Sequence, residues 1–172
     1  MTDGPGEPAR PRRGDVIAGL AAAAGVALLG LPVGFLWSAL APRARVVVLA
    51  GGPGLADPNT KAFIAADATF LLLTAAAGVV CAVLALVLGG RRHGVGTAVG
   101  LAVGGLTASY VAWRVGQRIG LAEFRRAVSG PAGTATPLYL TLRAKGVLVA
   151  WALTGVLTVL AVAANARRPD DL

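Results

Sequence analysis

The chain has 172 residues, 56% of them hydrophobic and only 14% charged, with a formal net charge of +8 and a mean hydropathy of +0.72. A soluble domain carries about a quarter charged residues, so a globule facing water on all sides is excluded. The basic residues flank apolar runs and build no basic face of their own, which fits lipid head groups and not nucleic acid.

Residues 1–15 are rich in Pro, Gly and charge and read as a disordered tail, with Arg10, Arg12 and Arg13 standing just before the first apolar run. The first membrane span is predicted at 16–40. It is too long for a secretory signal core and carries Pro42 just after it, so an uncleaved anchor is expected. Gly30 and Gly34 form a small-xxx-small pair around Pro32, a helix-packing signal with an expected kink, and Trp37 is read as an interfacial anchor. The connection 41–61 contains Arg45-Val-Val-Val-Leu49, a strand signal closed by the turn-forming Gly51-Gly52-Pro53-Gly54. The second span, 62–88, places Asp67 on one helical face with Thr74, Gly78 and Cys81, a narrow polar and small stripe that should face protein.

A tight basic turn with Arg91, Arg92 and His93 leads into the third span, 95–115. Here Gly96, Gly100 and Gly104 recur at four-residue steps, and at about 100° per residue Arg114 lies back over Gly96. The expectation is that Arg114 points with the glycines into the protein. Trp113 closes the span as a second anchor. The connection 119–145 carries Glu123, Arg125 and Arg126, and then a strand signal at 136–142, where Leu138, Leu140 and Leu142 alternate with Tyr139 and Thr141. The fourth span, 146–164, has Trp151 near its start as a third interfacial anchor, and 165–172 is a short polar tail.

The predicted fold class is therefore an all-α membrane protein. It is a four-transmembrane-helix bundle in which the two long connections form a short two-stranded extracytoplasmic β cap. Four spans put both termini on one side. Basic residues are nearly balanced between the two ends, and the first helix decides for cytoplasmic termini. Asp67 and Arg114 then lie at similar depth on successive helices. An isolated charge at a helix centre costs about 2.5–3.5 kcal/mol on insertion scales, so an intramembrane ion pair between them is expected.

No catalytic motif is visible, and with one cysteine and one histidine there is neither an intrachain disulfide nor a thiol-based metal site; no cofactor is expected. Four segments, GLPVGFLWSALAPR at 30–43, IAADATF at 64–70, AWRVG at 112–116 and AKGVLVAW at 144–151, resemble a family of uncharacterised actinobacterial membrane proteins, domain of unknown function 2567. The resemblance covers about residues 19–164 and implies a four-helix protein of the bacterial cell (inner) membrane, with no activity to transfer. The functional expectation is a structural or accessory subunit that contacts membrane lipid and a membrane-protein partner or its own copies. The alternative is a small oligomeric transporter or channel using Asp67 and Arg114.

Overall fold

The computed structural model describes residues 13–49, 52–58, 60–89, 95–131 and 133–166. The first twelve residues, the last six, and the basic turn with Arg91, Arg92 and His93 lie outside the described residues. The chain is mostly helical, with a small sheet at one end. Its elements are α1 (Arg13–Leu40), β1 (Arg45–Leu49), β2 (Gly52–Leu55), α2 (Ala62–Gly89), α3 (Val95–Arg118), α4 (Leu121–Val128), β3 (Ala135–Pro137) and α5 (Ala150–Ala166), the last entered through a 3-10 turn at Lys145–Val149. Four stretches, Ala23–Leu40, Ala62–Leu88, Ala98–Arg118 and Lys145–Asn165, are long and apolar enough to cross a membrane. They coincide with the four expected spans to within a few residues at most ends. α1 continues through Pro32, whose ring faces outward.

The helices pack as two parallel pairs. α1 and α3 share the most extensive interface, followed by α2 with α5 and then α3 with α5. Along α1–α3 the register is constant. Gly104 lies against Ala23 and Val26, Gly30 against the Ala108 carbonyl, Gly34 against that of Ala112, and Gly116 against the Trp37 ring. Both helices thus contribute small residues at four-residue steps, the spacing that lets backbones approach closely in lipid. In the second pair, Gly78 meets the Thr154 side chain and the Trp151 carbonyl. Thr154 Oγ1 also donates across to the Ala75 carbonyl at 3.1 Å. The α2 stripe of Thr74, Gly78 and Cys81 is buried, as its composition requires.

The ends of α1 and α3 and the starts of α2 and α5 meet under both long connections. The cap has three strands and not two, in the order β2-β1-β3 and antiparallel throughout. Val46 faces Leu55 on one side and Thr136 on the other. Gly52 and Gly54, expected to form only a turn, lie within β2, where Gly52 takes the left-handed φ of +122°. The strand expected over 136–142 ends early. Pro137 has no N–H to donate, so the β1–β3 ladder stops at Arg45–Pro137 with one further bond from Leu138 to Ala44. The alternation beyond it is used for packing, with Leu140 and Leu142 buried in the bundle.

A second departure is α4, within the stretch expected to be plain connection. Gly120, at φ +84°, ends α3 and turns the chain into this amphipathic helix, which exposes Arg125 and Arg126 and half-buries Phe124 against Tyr139.

Candidate functional site

The candidate site is the junction beneath the cap, where three of the four long helices exchange polar contacts. Trp37, near the end of α1, is fully buried. Its indole Nε1–H donates to the Ala66 carbonyl on α2 at 2.9 Å, and its ring meets Phe70 edge-on at 5.0 Å. Ala41, Ala112, Leu140 and Leu142 complete the cluster, with Trp113 half-buried beside it. A tryptophan used this way is a core residue with a satisfied polar handle, and the expectation of an interfacial anchor is corrected. Trp151 is likewise buried, in a second cluster with Cys81, Ala82, Leu101, Ala108 and Val159. Its ring edge fills the space left by Gly105.

Asp67, one turn into α2, accepts two main-chain hydrogen bonds from the start of the fourth span. The Arg143 N–H reaches Oδ1 at 3.2 Å and the Ala144 N–H reaches Oδ2 at 2.9 Å. These amides precede the Lys145–Val149 turn that opens α5. The first N–H groups of a helix lack intrahelical acceptors and carry its positive dipole end. Asp67 accepts from the two amides just before that turn, so its carboxylate sits by the positive end of the dipole and ties α2 to the entry of α5. The Arg143 guanidinium completes the latch by lying 3.8 Å over the Phe63 ring. On the α1 side, Arg43 Nη2 donates to the Ser38 carbonyl at 2.8 Å. A hollow of about 10 Å3 between Arg43, Phe63, Ala66 and Tyr139 has room for about one water at most.

Arg114 is elsewhere. It is exposed, on the outward face of α3. Its Nε donates to the Tyr110 hydroxyl at 3.0 Å, and its guanidinium carbon lies 5.4 Å and 5.3 Å from the Tyr110 and Trp113 ring centroids. The expected Asp67–Arg114 ion pair is therefore corrected: each group has other partners.

The expected glycine stripe is corrected in part. Gly30, Gly34 and Gly104 are packing positions, but nothing lies within 4 Å of where a Gly100 side chain would start. Gly96 lies in the first turn of α3, where side-chain surroundings are outside the described residues. Four-residue steps advance 40° around a helix each time, so the series is turned away from α1 at Gly100 and faces it from Gly104 to Gly116.

Sequence reasoning missed Gly116, Arg143 and Phe63. Gly116 continues the same four-residue series, whereas the Arg143–Phe63 stack joins residues eighty apart and leaves no local signal. Among the described residues no group of three or more His, Cys, Asp or Glu side chains is placed to hold a metal ion. Among the described residues Ser109 Oγ and the Trp113 indole nitrogen are buried without a hydrogen-bond partner.

No family model, curated protein or solved structure matches the chain. Its class is thus the one its fold defines, a mostly helical protein with four helices long and apolar enough to cross a membrane and a small three-stranded sheet at one end.

Proposed function

We propose that the protein is a multi-pass protein of the bacterial cell membrane with cytoplasmic termini and an external cap, and that it serves there as a structural or accessory subunit. One observation carries the membrane reading. The side chains that face away from the bundle are large and apolar on every long helix: Leu28 and Phe35 on α1, Leu72, Val87 and Leu88 on α2, Val99 and Val103 on α3, Leu153 and Leu160 on α5. They are about half to four-fifths exposed. A surface of this kind is suited to lipid and not to water. The resemblance to domain of unknown function 2567 agrees with this setting.

The accessory role is supported by the junction. Both Asp67 oxygens are engaged by main-chain amides, and the Trp37 cluster fills the bundle below the cap. That is a fixed scaffold. The transport reading has Asp67 and Arg114 lining one polar path; engagement of both Asp67 oxygens by main-chain amides and the place of Arg114 on the outward face of α3 favour the accessory reading over it.

Two measurements test the proposal. Extraction of native membranes with alkaline carbonate should leave the protein in the pellet, and release would overturn the membrane reading. Mild crosslinking followed by affinity purification should recover a stoichiometric membrane-protein partner, and recovery of the chain alone would overturn the accessory role.

A further inference from the structure

We infer that the outward face of α3 between Tyr110 and Arg118 is a binding site for the phosphate head group of an anionic phospholipid. The inference rests on the membrane reading above and adds a ligand to it. Arg114 is exposed, yet it is held by Tyr110 through its Nε and by the rings of Tyr110 and Trp113, which themselves meet edge-on at 5.6 Å. The hydrogen bond uses only Nε. Among the described residues the two terminal nitrogens have no acceptor, and Arg114 forms no ion pair. An arginine fixed in this way presents its planar outer fork ready-made, and that fork matches two oxygens of a phosphate. Arg118 stands one helical turn further on, exposed and likewise without a partner among the described residues.

The rest of the same face fits the rest of a lipid. Val99, Val103 and Leu106 form an exposed apolar column leading up to Tyr110. From Val103 to Arg114 the rise is roughly 16 Å at about 1.5 Å per residue, which is half the ~30 Å hydrocarbon thickness of a bilayer. An acyl chain lying on the column therefore brings its phosphate to Arg114. The surrounding charge favours an anionic head group over a zwitterionic one. Between residues 41 and 145 the cap end carries Arg43, Arg45, Lys61, Arg114, Arg118, Arg125, Arg126, Arg143 and Lys145 against Asp57, Asp67 and Glu123.

The test is native mass spectrometry of the detergent-purified full chain titrated with phosphatidylglycerol, and with phosphatidylcholine for comparison. Two double variants remove the same charge, Arg114→Gln with Arg118→Gln in the site and Arg125→Gln with Arg126→Gln on α4. Phosphatidylglycerol should bind more tightly than phosphatidylcholine. The site variant should bind it about 25-fold more weakly, roughly fivefold per arginine, from ~1 kcal/mol for each basic residue near an anionic surface. The α4 variant should stay within about twofold of the wild type. Tyr110→Phe, which removes only the hydroxyl that holds Nε, should weaken binding roughly threefold. Undiminished binding in the site variant, or equal losses in both double variants, would overturn the inference. Carbonate extraction of the same proteins keeps the two readings apart. Release from the membrane refutes the membrane reading, whereas retention with undiminished lipid binding refutes the lipid site alone.

Discussion

The α1–α3 interface makes a sharp demand on two glycines. At Gly34 an added β-carbon would lie 2.6 Å from the Ala112 carbonyl oxygen and 3.0 Å from Val115 Cβ. Carbon–oxygen contacts settle at about 3.3–3.6 Å, so the two helices must part by roughly 0.7 Å or more. Overpacking of this kind costs about 1–3 kcal/mol. Replacing glycine by alanine inside a helix stabilises by about 0.5–1 kcal/mol. Gly100→Ala is the matched control, because nothing lies within 4 Å of its new methyl group. The propensity gain is common to both variants and cancels, so the difference between them isolates the interface at about 1–3 kcal/mol. Gly100→Ala should be neutral or slightly stabilising, and Gly30→Ala with Gly34→Ala should be worse than either single change. The assay is unfolding of the purified protein in mixed micelles of rising dodecyl sulfate content, followed by tryptophan fluorescence. If Gly100→Ala destabilises as much as Gly34→Ala, the register drawn between α1 and α3 is wrong.

Other expectations follow from the junction. Asp67→Asn keeps the shape but loses the charge and turns one acceptor into a donor facing an amide, so a loss of about 1–3 kcal/mol is expected in the same assay. Exchanging the charges, Asp67→Arg with Arg114→Asp, should rescue nothing. Trp37→Phe forfeits the bond to Ala66 and should cost roughly 1 kcal/mol, whereas Trp37→Ala also opens a cavity and should cost about 3–5 kcal/mol; equal losses would contradict the role given to the indole nitrogen. For orientation, a Cys81→Ala background carrying Ser129→Cys should react with an impermeant maleimide added to intact cells, and Asn165→Cys should react only after the membrane is opened. The reverse pattern would place the cap in the cytoplasm.

The four long apolar helices were legible because length and apolar composition alone define them, and the capped end followed from the two long connections. The facing of α3 was not. A four-residue repeat looks like one face on paper but drifts around the helix, so Gly100 suggested a contact that Gly104, Ala108, Ala112 and Gly116 make instead. Asp67 was correctly marked as a group in need of a partner. Its partners are main-chain amides, which every residue possesses and no side-chain pattern reveals. Tryptophan is ambiguous for a related reason, since Trp37 and Trp151 suit an interface and a core equally well until their neighbours are known. β2 escaped notice because Gly and Pro are poor strand formers, and it is the pairing with β1 that holds them extended.

The most direct test of the whole arrangement is labelling in native membranes with a lipid-soluble carbene reagent, mapped by peptide mass spectrometry. Leu72, Val87, Val103, Leu153 and Leu160, which face outward, should be labelled. Trp37, Phe70, Ala108 and Trp151, which are buried, should be spared. Labelling of the second set, or failure to label the first, would contradict a lipid-facing bundle closed around the Trp37 junction.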